Sequence, residues 1–434
     1  MNKIKAIKAI EILDSRGNPT IEVEVFLTEV SGVAKVPSGA STGKKEALEL
    51  RDNDLRRYFG KGVLKAISNI TDQIQPALLN IPIEDQLAID NLLIQLDGSC
   101  NKAKLGANAM LAVSLAVARA GANYHKLELY KYLENIYTYG KYHTVHIDNA
   151  QLTQSKSFFI PTPLINIING GVHADNNLSV QEFMIVPVGA PNFTEALRFS
   201  VEIFYALKVI LKQHKLATSV GDEGGFAPNL SCHEQALDYI LLAIEQSGLV
   251  ANQDVALALD VAANEFFAQG YYVIENNRLT TEQFIKKLTS WTNNYPIISI
   301  EDGLAEDDVI GWQELTKQLG HKIQLIGDDL FVTNPKIFEH ILQSNTKLNH
   351  KVANAILIKP NQIGTLSETF TTIKLARQND YNYIISHRSG ETEDSFIADL
   401  AVGTYATQIK TGSVCRSERI SKYNRLLKIE KMIL

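Results

Sequence analysis

The chain has 434 residues, enough for two domains or for a small domain and a large barrel. Hydrophobic residues make up 45% and charged residues 21%, which excludes a disordered chain, and a formal net charge of −6 gives no cationic footprint for nucleic acid. The cysteines, Cys100, Cys232 and Cys415, are odd in number and form no CxxC, so they read as reduced thiols of a cytosolic protein.

In the first residues, MNKIKAIKAIEILDSRGNP, charge interrupts every apolar run and no signal sequence is visible. Residues 3–28 alternate apolar and polar side chains, broken at Gly17-Asn18-Pro19, which predicts an antiparallel hairpin. A Gly/Ser-rich loop follows from Pro37 to Glu46, and then helical patterns run to about Tyr132. The most apolar of them, Leu105 to Ala122, carries Asn108, Ser114 and Arg119 and reads as a packed internal helix, not a membrane span. Residues 1–135 thus read as an α+β domain, and 136–158, polar and without a period, as a linker or surface insertion.

From 159 to 434 the pattern changes. Eight short apolar runs alternate with helical stretches: 163–170, 182–187, 255–260, 297–302, 323–329, 354–359, 383–387 and 407–410. Near-continuous apolar strands between helices predict a mainly parallel sheet, and eight of them favour a closed (β/α)8 TIM-like barrel.

The ends of the later runs carry the chemistry. Asp260, Glu301 with Asp302, Asp328 with Asp329, Lys359, His387 with Arg388, and Lys410 each terminate a run. In a barrel these positions share one rim. A charged strand end is common where a strand meets water, but six in succession, sorted by sign, are not explained that way. Clustered acids repel unless a cation sits among them, and hard oxygen donors suggest Mg²⁺. The opposite side, with Lys359, Arg388 and Lys410, suits an anionic substrate and a lysine base. Two other motifs carry less. PSGASTGKK has three residues between Gly39 and Gly43 and a lysine after Lys44, so it fails the phosphate-loop spacing. His143 and His146 in the linker lack further ligands and read as surface residues.

Twelve segments in order, among them PSGASTG, NIINGGVHADNN, VGDEGGFAPN, SIEDGLAEDD, ILIKPNQIGT, SHRSGETED and CRSERISKYN, closely resemble the enolase family along nearly the whole chain. The resemblance, which looks bacterial, implies Mg²⁺-dependent interconversion of 2-phosphoglycerate and phosphoenolpyruvate in the cytoplasm. It implies that Asp260, Glu301 and Asp328 hold a first magnesium, and that Ser41 joins a second one arriving with substrate. Lys359 corresponds to the base at C2. Glu223, with Glu182 beside it, corresponds to the acid at the C3 hydroxyl. Gln181, His173, His387, Arg388, Ser389 and Lys410 correspond to the substrate-binding set, with Arg388 and Ser389 on phosphate. The family also implies a homodimer or octamer without a membrane span, and secondary roles such as plasminogen or ribonuclease-complex binding, with cell-surface or secreted display. A different enzyme of the superfamily would be expected to lack Arg388-Ser389 or Glu223, and neither is lost. Departures from the family are the long 137–158 segment, a small extension near 343–351, Lys44-Lys45 after the first loop, and Gly303 where Pro is usual. Gly303 is expected to loosen the strand end that carries Glu301.

Overall fold

The computed structural model describes residues 2–39, 43–143, 157–348 and 351–434. The predicted hairpin is present as β1 (Ala6–Leu13) and β2 (Pro19–Phe26), paired in antiparallel register from Ala6↔Phe26 to Leu13↔Pro19. Asp14 makes the turn, its Oδ1 accepting Arg16 N at 2.9 Å and Asn18 N at 2.8 Å. A third strand, β3 (Ser31–Lys35), pairs with β2. It escapes sequence reading because its five residues, SGVAK, give too short an alternation. Gly32 lets it lie directly on a helix: a Cβ there would fall 2.1 Å from Ala120 N.

The helices of this half are α1 (Leu64–Asn69), α2 (Gln75–Leu78), α3 (Gln86–Asp97), α4 (Ala107–Tyr124) and α5 (Leu129–Tyr139). Asp85 caps α3, and Gly98, at φ 68°, ends it. Buried on nearly every face, α4 is the packed internal helix that its composition predicts.

The remaining elements are β4 (Thr162–Asn169), β5 (Glu182–Val186), α6 (Phe193–Gln213), α7 (His233–Gln246) and β6 (Ala256–Asp260). A hairpin sheet follows, of β7 (Phe267–Ala268), β8 (Tyr271–Ile274) and β9 (Asn277–Leu279). Then come α8 (Thr281–Asn294), β10 (Ile297–Glu301), α9 (Val309–Leu319), β11 (Gln324–Gly327), α10 (Pro335–Leu348) and β12 (Ala355–Ile358). The chain closes with α11 (Leu366–Gln378), β13 (Asn382–Ser386), α12 (Phe396–Gly403), β14 (Gln408–Lys410) and α13 (Ser417–Ile433).

All eight apolar runs are strands of one closed barrel, in the order β10-β11-β12-β13-β14-β4-β5-β6. One strand departs from a strict (β/α)8 pattern. β5 runs antiparallel to both neighbours, is joined to β4 by a connection without an α-helix, and is followed by two helices, α6 and α7. An antiparallel neighbour needs no long crossover, which is why the short 170–181 connection suffices.

Alternation along the strands stacks the barrel interior in layers. Ser299, Gln324, Asn382 and Gln408 form a hydrogen-bonded polar floor, with Gln324 Nε2 donating to Ser299 Oγ at 3.1 Å and to Gln408 Oε1 at 2.9 Å. Leu164, Met184, Val186 and Ala258 form one apolar cluster of the barrel, and Ile326, Ala355, Leu357 and Ile384 another. Asp260, Asp328 and Lys359 lie two residues beyond Ala258, Ile326 and Leu357, and Glu301 and Lys410 two beyond Ser299 and Gln408.

The two halves are tied at the mouth. Ser38 and Gly390 exchange backbone hydrogen bonds of 2.7 and 2.9 Å. Arg119 of α4 grips Asp394 through two bonds of 2.8 and 3.0 Å, and that carboxylate also accepts Lys35 N at 2.9 Å. Removing one partner of a buried pair strands the other charge. Arg119→Ala is expected to cost about 3 kcal/mol, read as a lowered midpoint in denaturant unfolding.

Gly303 does not loosen its strand. Glu301 O accepts Val261 N and Asp302 N donates to Ile326 O, both at 2.9 Å, while a Cβ on Gly303 would crowd Ile300 and Leu315 at 3.1 and 3.2 Å. Glycine here gives room for packing. Among the described residues, no helix is long and apolar enough to cross a membrane.

Candidate active site

Three adjacent strands set a row of carboxylates. Glu182, Asp260 and Glu301 are register partners across β5, β6 and β10, so their side chains stand one strand spacing apart, about 4.8 Å. Because β5 runs backwards, it is its first residue, not its last, that reaches this rim. Asp328 follows β11 directly. Such a row needs counter-charge, and here the protein's own lysines supply it. Lys410 Nζ lies 2.8 Å from Asp260 Oδ2, 2.8 Å from Glu301 Oε2 and 3.0 Å from Glu182 Oε1. Lys359 Nζ is hydrogen-bonded to Asp328 Oδ2.

This corrects the division read from the sequence, which set acids and bases on opposite sides. The structure interleaves them, because ring closure brings β14 round to β4 and its long lysine side chain reaches across the mouth to the acids. Burial alone would lower both lysines. Instead Asp328 holds Lys359 above its ordinary range, and Asp260, Glu182 and Glu301 hold Lys410 well above it.

One cavity gathers nearly every described candidate. His173, Gln181, Glu182, Glu223, Asp260, Asp328, Lys359, His387, Arg388, Ser389 and Lys410 all line it. Glu301, fully buried, joins it through Lys410. Ser41 lies outside the described residues.

Glu223 is carried by a tight loop in which Gly221 N bonds Gly225 O at 2.8 Å and Gly224 adopts φ 89°. Its Oε2 accepts Asn166 Nδ2 at 3.1 Å, and its Oε1 lies 3.4 Å from His387 Nε2 and 3.6 Å from His173 Nδ1. His173, Glu182 and Glu223 offer ligand atoms within 4.8 Å of one another. Burial and the Glu223 charge push Glu182 well above the usual carboxylate range. Burial works against Glu223 too, but His387, His173, Arg419 and Lys410 hold it well below that range. The surroundings thus push the two carboxyls of this pair in opposite directions. Burial also lowers both histidines, against the raising effect of the Glu223 charge.

Arg388 donates from Nη1 to Glu46 Oε2 and Asn361 Oδ1, both at 3.0 Å, and from Nη2 to Glu46 Oε1 at 3.2 Å. Gln181 Nε2 donates to Asp260 Oδ2 at 3.2 Å. Sequence reasoning missed Glu46, Asn166, Arg419 and the task of Asp302. A signal existed for two of them: Glu46 closes the Gly/Ser-rich loop, and Asn166 interrupts an apolar strand on its inward face. Arg419 bonds His387 Nδ1 at 2.6 Å and the carbonyls of Arg388 and Ser389, a link between distant segments that no local pattern reveals. Asp302 accepts Asp328 N at 2.8 Å and Asp329 N at 2.9 Å, so it orients the neighbouring acids.

The donor set suits a hard divalent cation. Glu301 Oε1 and Glu182 Oε2 are buried without a hydrogen-bond partner among the described residues, and every available donor in the row is a carboxylate oxygen. Asp302, Asp328 and Asp329 form a second oxygen group within 4.8 Å.

Acid and base groups thus converge at the carboxyl end of a closed barrel, the face on which enzymes of this fold carry their chemistry. The family model "Enolase, C-terminal TIM barrel domain" matches residues 157–434, and "Enolase, N-terminal domain" matches residues 4–133. The chain belongs to the enolase family, and is a lyase-type enzyme of that family.

Proposed function

We propose that the protein catalyses the reversible dehydration of 2-phospho-D-glycerate to phosphoenolpyruvate. One observation carries this reading: β12, which delivers Lys359, and β5, which delivers Glu182, are four places apart in a ring of eight strands. A base and an acid pair therefore face each other across one cavity, the arrangement that removal of a proton and a hydroxyl from neighbouring carbons needs.

In this reading Lys359 Nζ takes the C2 proton. Glu223, with Glu182 beside it, gives a proton to the departing C3 hydroxyl, a poor leaving group without one. Arg388 and Ser389 hold the phosphate, while His173, Gln181, His387 and Lys410 orient the rest of the substrate. Asp260, Glu301 and Asp328 would hold one Mg²⁺ and Ser41 would join a second. When bound, the ions supply Lewis-acid stabilisation of charge on the substrate carboxylate, worth several kcal/mol. A cytoplasmic homodimer or octamer, with domains at 1–135 and 159–434, belongs to the same reading.

The test is phosphoenolpyruvate absorbance from purified protein with 2-phosphoglycerate. Turnover is expected with Mg²⁺, lost with EDTA and restored by excess Mg²⁺. Absence of turnover from folded, Mg²⁺-supplemented protein overturns the proposal.

A further inference from the structure

Outside the cavity, the fold contains a second histidine–carboxylate pair. His233 opens α7 and is only 1% exposed. Its Nε2 accepts two backbone hydrogen bonds, from Ser179 N at 3.0 Å and Val180 N at 3.2 Å. A ring nitrogen accepts only when it carries no proton, so the imidazole proton lies on Nδ1. That nitrogen is 2.6 Å from Glu275 Oε1, to which it donates.

Glu275 is held for this task. It sits in the two-residue turn between β8 and β9 at φ 51°, with Asn276 at φ 63°. Such turns need positive φ, which glutamate rarely adopts. Its side chain offsets the strain: Oε1 also accepts His233 N at 2.9 Å, and Oε2 accepts Lys287 Nζ at 3.0 Å. The bond to His233 keeps this carboxyl down at about 2, fully ionised.

Ser179 and Val180 end the connection that carries His173 and Gln181 and leads into Glu182. Gly170 N bonds Gln181 O at 2.9 Å and Gly171 N bonds Leu178 O at 2.7 Å, so the connection closes on itself as a loop. Its last two amides before Gln181 point away from the cavity, onto the imidazole. Without that acceptor, two adjacent amides next to the site would lose their partner.

We infer that His233, oriented by Glu275, is a positioning residue: it fixes Ser179-Val180 and thereby sets Gln181 and Glu182 at the mouth. The inference rests on the roles given to those two residues under the proposed function. The ring also packs near Phe183 and Trp291, with centroids 6.3 and 5.8 Å away, so its volume and its acceptor must be tested apart.

His233→Leu fills the space without an acceptor, and His233→Gln restores a carbonyl that can accept. Two readouts serve. The first, made without substrate or metal, is amide hydrogen exchange in peptides covering 174–186. The second is KM and kcat for 2-phosphoglycerate with Mg²⁺. His233→Leu is expected to speed exchange in that segment and to raise KM, each about tenfold, with kcat changed less. His233→Gln is expected to recover most of both. Unchanged exchange in His233→Leu, or a glutamine variant as impaired as the leucine one, overturns the inference. Should His233→Leu fail to fold, Glu275→Leu, which removes the acceptor that orients the ring, carries the same exchange test, and unchanged protection there is equally fatal. Absence of turnover in the unsubstituted protein counts against the proposed reaction, whereas the exchange arm still decides the inference.

Discussion

Lys359→Ala is expected to lower kcat by at least 10²- to 10⁴-fold, about the range for loss of a positioned general base. The side chain reaches the cavity from the end of β12, and its backbone N–H donates to Thr333 Oγ1 at 2.8 Å, so the main chain stays anchored when the amine is removed. Asp328 then loses its ammonium partner but keeps Gln362 Nε2 at 2.9 Å. The fold should therefore survive, and far-UV circular dichroism with a thermal melt checks that it does. The diagnostic reading is isotopic. If Lys359 removes the C2 proton, deuterium from solvent should no longer enter C2 of 2-phosphoglycerate. Persisting exchange with dead turnover would assign the base elsewhere, and Lys410, the other buried lysine of the cavity, would be the first alternative.

Glu223→Gln is the second large effect, again at about 10²- to 10⁴-fold in kcat. Glutamine preserves shape but cannot give a proton to the leaving hydroxyl. Solvent deuterium should still reach C2, because Lys359 is untouched across the barrel. The two variants therefore separate the two halves of the reaction. Glu182→Gln tests the pair as a unit. If the two carboxyls act as one unit, the double variant should be little worse than either single one, since residues acting together are strongly non-additive. Full additivity would show that the two carboxyls act independently.

Much of the barrel was legible because its strands are short apolar runs with charged ends, a pattern that local sequence carries. Asp260, Glu301, Asp328, Lys359 and Lys410 could be placed on one rim from that pattern alone. Glu182 could not, since it begins a strand, and only the reversed direction of β5 brings it to the same rim. Glu223 lies in a loop without periodicity, so its place rested on family resemblance. The pairing of Lys410 with three acids was illegible for another reason. It depends on ring closure between β14 and β4, which joins residues far apart in the chain. β3 was hidden by its brevity, and Arg419 by the distance in sequence to the carbonyls it binds.

The lysines among the acids bear on how the mouth tolerates change. With Lys410 lodged between Asp260, Glu301 and Glu182, and Lys359 on Asp328, the mouth carries its own counterions. One side chain from β14 thus balances carboxylates on three other strands, so losing it would strand charge on all of them at once. The last short strand of the barrel is in this sense the keystone of its rim.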